Sequence, residues 1–378
     1  MRGAPAPVPA RSEDAGGPSL RISAANGAIG VVGERLAAPD GRFDLELQIP
    51  DGRLYPGLIN AHDHLHRNHY GRLGAPPYAD AYEWGRDIHA RCAREIADGR
   101  TLARRDALLH GAWKNLLAGV TTVVHHDAWE PDFDRAFPLR VVPIRNAHSL
   151  GAGTGLDGLD DGRGPFCIHV AEGVNDTAAE EVRELARREL LNPRLLAVHV
   201  VGADTDGVER LRACGAAVVW CPSSNDFLFG RTAPAALLAP GIDVLLGSDS
   251  LLTGAGTLLD ELRAAARTGL MADSRLRDAV AGAAARRLGL EPPALAVGAR
   301  ADVVVLRRAI GEATARDVAA VVAGGVLRVL DTGLRTPERW QRRGRIVTRA
   351  GVSRRVFGDV PATLAPPLRS PISVPPGT

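Results

Sequence analysis

Two histidines two residues apart, His62 and His64, close the run Leu54-Tyr-Pro-Gly-Leu-Ile-Asn-Ala-His-Asp-His-Leu. On a strand, side chains alternate with period two, so both imidazoles project from one side, with Cα atoms roughly 6–7 Å apart. Both rings can then turn toward one metal ion. A lone His-x-His says little. Here further apolar runs end in, or lead into, residues suited to the same ion. Val120-Thr-Thr-Val-Val ends in His125, His126 and Asp127. Phe166-Cys-Ile-His-Val-Ala-Glu offers His169 and Glu172, and Leu195-Leu-Ala-Val-His offers His199. Val218-Val-Trp-Cys-Pro-Ser-Ser-Asn offers Ser223 and Asn225, and Val244-Leu-Leu-Gly-Ser-Asp offers Asp249. A catalytic metal takes a few imidazole or carboxylate ligands and keeps one position open for water. Three histidines and one aspartate supply that.

Such groups need a scaffold that ends several strands at one place. From about residue 58, apolar runs alternate with helical stretches, the signature of a parallel sheet covered by helices. Strands are expected at Pro56–Ala61, Val120–His125, Arg140–Ile144, Phe166–Val170, Leu195–Val200, Ala216–Trp220 and Asp243–Gly247. Between them, Thr101–Ala118, Asp176–Leu191, Asp204–Cys214, Thr257–Leu270 and Asp273–Leu288 read as helical. Thr177 and Glu180 have the spacing of a capping box. The fold class is α/β, a TIM-like (β/α) barrel whose reactive groups sit at the carboxyl ends of strands. Only seven core strands can be counted. Either the barrel is short by one βα unit, or an irregular strand lies in the Gly- and Asp-rich stretch 146–164.

The flanks differ from this core. Residues 18–57 read as short strands with turns at Ala25-Asn26-Gly27, Asp40-Gly41 and Asp51-Gly52, and strand patterns return after 297. Both ends are expected to build one small β-sandwich-like domain, from 18–57 and 297–355, beside a hydrolase barrel at 58–296. Residues 1–17 read as a disordered arm and 360–378 as a Pro-rich tail.

The chain has 378 residues, 45% of them hydrophobic, and a formal net charge of +2. No strong field points to nucleic acid or to an anionic membrane. No apolar run approaches a membrane span, and no secretory signal is read in the first residues. Four cysteines without zinc-finger or C-x-x-C spacing suit a reduced cytoplasmic protein. Lys114 is the only lysine, so Schiff-base chemistry or a carboxylated-lysine bridge would have to use it. It lies in a helical pattern and not at a strand end.

The ordered set of motifs resembles the amidohydrolase superfamily over roughly residues 18–350. The closer likeness is to its mononuclear deaminase and chlorohydrolase branch, which includes cytosine, guanine and adenosine-type deaminases. The motifs are Pro-Gly-Leu-Ile-Asn-Ala-His-Asp-His, Gly-Val-Thr-Thr-Val-Val, His-Val-Ala-Glu, the lone strand histidine His199, and Gly-Ser-Asp-Ser. The resemblance implies that His62, His64, His169 and Asp249 bind one divalent ion, zinc first and iron second. It implies that His199 orients or polarises a water, that Glu172 shuttles protons, and that Asp249 accepts one. The implied reaction is hydrolysis of a C–N bond, most simply deamination of an amidine-like or heterocyclic amine. Two rivals are opening of a cyclic amide or imidazolone on the same site, and a non-catalytic ligand-binding relative. The segment His66-Arg-Asn-His-Tyr-Gly-Arg is rich in hydrogen-bonding groups and suits a polar or anionic substrate. His66, His125, Arg145 and Asn225 are the candidate substrate contacts. The expected partners are a small-molecule substrate and a second copy of the chain in a homodimer.

Overall fold

The computed structural model describes residues 18–153 and 155–364. The expected arm at 1–17 and most of the expected Pro-rich tail lie outside the described residues.

The central α/β part holds two parallel sheets. Leu58–Asp63, Val120–His125 and Arg140–Val141 pair in that order. Arg145–Ser149, Phe166–Val170, Leu195–His199, Ala217–Trp220 and Val244–Leu246 form the other, also in chain order. Most of these strands are buried at every position. Strands covered on both faces read as continuous apolar runs, which is why the sequence shows them without alternation.

The expected strand Arg140–Ile144 is shorter, and a strand follows where a loop was expected to begin. Only three residues, among them Pro143, separate Arg140–Val141 from Arg145–Ser149. A proline donates no N–H to a ladder. The segment changes partner there, from Val120–His125 to Phe166–Val170. No helix lies between the two halves, so the helical crossover typical of parallel neighbours is lacking at this point. The outer edges of the two sheets also meet, because Ser248 and Asp249 both donate their N–H to the His62 carbonyl, at 3.0 and 3.1 Å. One apolar cluster gathers Ile59, Ala61, Val124, Cys167, Val198, Val219 and Leu245, from the first strand to the last. The alternate residues of the same strands join the helices in a second, larger cluster.

The helices follow their apolar spacing. In Leu258–Thr268, Leu258, Leu259, Leu262 and Ala265 are buried on one face. Each buried leucine contributes about 1.5–3 kcal/mol. Thr257 and Asp260 form a capping box, and Gly269 ends the helix at φ 67°. Asp176–Arg187 is capped by Asn175, whose Oδ1 accepts from Ala178 N–H at 3.0 Å. The expected Thr177–Glu180 box is therefore replaced by a cap two residues earlier. The expected helix Asp273–Leu288 is two helices, Asp273–Ala279 and Gly282–Arg287.

Chain from both ends meets in one antiparallel sheet, where Arg53–Pro56 pairs with Val303–Leu306. A second sheet holds Leu20–Ala24, Gly27–Val32, Arg35–Ala37 and Leu45–Ile49. Leu20, Ile22, Leu47, Val303, Val305 and Val322 belong to a single apolar cluster spanning the two sheets.

Candidate active site

The expected metal ligands converge. His62 Nε2 and His64 Nε2 each lie 3.7 Å from Asp249 Oδ1. His62 Nε2 is 3.2 Å from His169 Nε2. A four-coordinate zinc with bonds of about 2.0–2.1 Å separates its ligand atoms by about 3.3 Å. His62, His64 and Asp249 are thus spaced to hold one ion, and His169 joins them through His62.

The tautomers fit as well. His169 Nδ1 faces the His148 carbonyl, which fixes its proton there and leaves Nε2 with a bare lone pair. Burial pushes the pKa of His62 down, and those of His64 and His169 well down. Neutral imidazole is the form that ligates. Asp249 takes the other role. Burial works to raise it, yet its neighbours, His62 first and then His199 and Thr253, hold its carboxyl below the usual range. Ser224 Oγ and Thr253 Oγ1 both donate to its Oδ2 at 2.8 Å. Oδ1 accepts from Ser250 N–H at 2.8 Å and faces the histidines.

Beside this cluster stands a second pair. His199 Nδ1 donates to Asn225 Oδ1 at 2.8 Å, so its buried Nε2 is bare and has no hydrogen-bond partner among the described residues. Glu172 Oε1 lies 3.4 Å from that nitrogen. Burial raises the Glu172 carboxyl to about 7, with His199 opposing and Asp249 adding to the shift. A carboxyl that titrates near neutrality can both take and give a proton at working pH.

The backbone is strained here. His199 has φ 71° and Asp249 φ 49°, both in the left-handed region that non-glycine residues rarely occupy. Such strain clusters at functional positions, held by surrounding contacts. Gly247 has a simpler task. A Cβ on it would lie 2.6 Å from His62 Cβ and 2.9 Å from Cys221 Sγ. Only glycine lets the two strand ends approach.

A buried polar network underlies the site. Asp63 Oδ2 receives Lys114 Nζ at 3.0 Å and Asn115 Nδ2 at 2.7 Å. Asn68 Nδ2 donates to Asp63 Oδ1 at 2.8 Å. Lys114 also donates to Ser248 Oγ at 3.0 Å and to the Asp249 carbonyl at 2.9 Å. The single lysine thus ties the His62–His64 strand to the Asp249 turn from below. It does not line the main cavity.

That cavity, of about 1060 Å³, is lined by His64, His66, Arg67, His169, Glu172 and Asp249 among others. Of the four candidate substrate contacts, His66 lines it. Asn225 is packed behind His199 as its hydrogen-bond partner. His125 is buried, with Nδ1 accepting from Leu65 N–H at 3.2 Å. Arg145 turns away to pair with Asp161 and lines a smaller cavity of about 480 Å³. His126 stacks on His169 at 4.1 Å between centroids. Its Nε2 donates to the Ala147 carbonyl at 2.9 Å, so it packs against the cluster and holds no open ligand position on that nitrogen. The sequence reading passed over Ser224, Thr253 and Asn60. Only proximity in the fold marks them.

No family model and no curated protein matches the chain by sequence. Solved structures do match it. An adenosine deaminase from Xanthomonas campestris with bound zinc superposes with TM-score 0.57 at 20% identity, over 84% of this chain and 94% of that one. An atrazine chlorohydrolase from Arthrobacter aurescens TC1 complexed with zinc gives 0.62 at 16%, over 82% and 94%. The Helicobacter pylori aminofutalosine deaminase in complex with methylthio-coformycin gives 0.55 at 16%, over 82% and 99%. The chain shares their fold. No helix among the described residues is long and apolar enough to cross a membrane.

Proposed function

We propose that this chain is a metal-dependent amidohydrolase that cleaves a C–N bond with water. Its simplest reaction is deamination of an amidine-like or heterocyclic amine. One observation carries the reading. His62, His64 and Asp249, from two separate strand ends, bring their ligand atoms together, His169 from a third meets His62 at 3.2 Å, and the Glu172–His199 pair stands beside them. The fold neighbours support it, since two of the three are deaminases, and two, one deaminase among them, carry zinc.

His62, His64, His169 and Asp249 would hold one divalent ion, with zinc preferred. Such an ion lowers the pKa of a coordinated water from about 15.7 toward 7. The rest is the work of side chains. Glu172, titrating near 7, takes a proton and delivers it to the substrate nitrogen, which makes the adjacent carbon electrophilic. It later gives a proton to the departing amine. His199 presents its bare Nε2 as the acceptor for the O–H of the attacking water, its ring fixed by Asn225. Asp249 accepts a proton through a carboxylate braced by Ser224 and Thr253.

The reading includes a barrel built from residues 58–296, with eight parallel strands and no helix between Arg140–Val141 and Arg145–Ser149. The split segment Arg140–Ser149 and the shared inner cluster support it. It also includes a composite β domain from 18–57 and 297–355, supported by the apolar cluster common to both ends.

The test is ammonia release by zinc- or iron-loaded protein across a panel of amino-heterocycles. Glu172→Gln should keep its metal and lose about 10²–10⁴-fold in rate. Ring opening without ammonia would favour the cyclic-amide rival. A metal-loaded protein that hydrolyses neither class would overturn the reading.

A further inference from the structure

We infer that the substrate carries an oxyanion, a carboxylate or phosphate group, that is seated on Arg67. The inference rests on the hydrolase reading above and narrows its substrate class.

Arg67 closes the short 3-10 turn Leu65–Arg67, directly after His64. It is partly buried and lines the cavity together with the Glu172 and Asp249 side chains. Its Nε–H donates to His66 Nε2 at 3.4 Å. Among the described residues, no carboxylate lies within ion-pair distance of its guanidinium, and no acceptor meets its two terminal nitrogens. A guanidinium keeps its charge, and a sheltered charge without a partner is costly.

The acids on the same cavity wall are all engaged elsewhere. Asp80 accepts from Glu83 N–H at 2.7 Å and from Asn175 Nδ2 at 2.7 Å. Glu181 accepts from Tyr82 Oη at 2.6 Å and from Ala171 N–H at 2.7 Å. Glu172 faces His199, and Asp249 faces the histidine cluster. Arg104, another cation on the wall, is bound by Glu130. Farther out, Arg86 and Arg100 line the same cavity, exposed and without an ion pair among the described residues.

Arg67 is also held in place. Fully buried Asn68 donates to Asp63 Oδ1, the His64 carbonyl and the Leu65 carbonyl, and accepts from Leu251 N–H at 3.2 Å. Gly111 lets the helix Arg104–Leu116 press on this turn, since a Cβ there would lie 2.3 Å from the Leu65 carbonyl oxygen. The backbone of the turn is therefore fixed, and the guanidinium it carries keeps two terminal nitrogens that can meet an oxyanion in bidentate fashion.

The experiment compares zinc-loaded wild type, Arg67→Lys and Arg67→Met on matched aminopyrimidines, uncharged or bearing a ring carboxylate or a phosphate. Zinc content and thermal unfolding are read for each protein. The wild type should prefer one of the anionic members. Arg67→Met should lower the anionic-to-neutral ratio of kcat/KM by about 10–100-fold, mainly through KM, as expected for a lost charge-assisted pair. Arg67→Lys should restore part of that ratio, and the preference should weaken as salt is raised. Which anionic member responds decides between carboxylate and phosphate. A ratio unchanged by either variant, or a wild type preferring the neutral member, overturns the inference while leaving the hydrolase reading intact. Absence of hydrolysis on every member by zinc- and iron-loaded protein removes the reading on which it rests. Should Arg67→Met fail to fold, the Arg67→Lys ratio and its salt dependence carry the test.

Discussion

Lys114→Met should be among the most damaging single changes outside the ligand set. Lys114 and Asp63 lie 3.0 Å apart, and their side chains are 1% and 0% exposed. Removing one partner of such a pair leaves an uncompensated buried charge, a loss of about 3–5 kcal/mol. Asp63 would keep the neutral donors of Asn68, Asn115 and Asn60, which places the cost at the lower end. The lysine also donates to Ser248 Oγ and the Asp249 carbonyl, so its loss loosens the turn that aims the Asp249 carboxylate. Zinc affinity should fall by about 10–100-fold, as when a group that orients a ligand is lost. Denaturant unfolding of the metal-free proteins and zinc competition against a chelator read the two effects. The double variant Asp63→Asn with Lys114→Met removes both charges, and a cycle should return a coupling of about 2–3 kcal/mol. A cost below about 1 kcal/mol for Lys114→Met, or additive effects in the cycle, would refute the reasoning.

Other outcomes follow from the same geometry. Buried Glu261, which accepts from Ser223, has its carboxyl raised by burial to about 7. A raised carboxyl stabilises the fold fully below about 4.5 and loses that contribution as pH climbs through 7. Relative to wild type, Glu261→Gln should therefore gain about 3 kcal/mol of stability between pH 4.5 and 8, read from unfolding midpoints across pH. A flat difference would contradict this. Gly247→Ala drives a methyl against His62 Cβ and should reduce bound zinc per chain well below one, measured by metal analysis. Asn225→Leu frees the His199 ring and should lower kcat about tenfold or more with little change in zinc content.

Much of the site was legible because strand ends announce themselves. His62, His64, His169, His199 and Asp249 each terminate or follow an apolar run, and a parallel α/β fold brings such ends together. Glu172 was readable from its place three residues after His169. Arg145 was expected just past a strand, yet it opens the strand Arg145–Ser149 and its side chain pairs with Asp161. Backbone periodicity gives a position, whereas side-chain direction depends on a partner elsewhere in the chain. His125 and His126 show this too. Adjacent on one strand, they must face opposite ways, and only the fold decides which one meets His169. Asn225 looked like a substrate contact and holds His199 instead. The pairing of Lys114 with Asp63 bridges a helix and a strand 51 residues apart, a contact no local pattern encodes. The split strand around Pro143 explains the count of seven. Its two halves satisfy two neighbours without an intervening helix.

The most direct test of the account is anomalous X-ray diffraction from crystals of the zinc-loaded protein. One strong peak is expected within about 2.3 Å of His62 Nε2, His64 Nε2, His169 Nε2 and an Asp249 carboxylate oxygen. A peak lodged instead among His66, His125 and Asp127, or no ordered peak at full zinc loading, would contradict it.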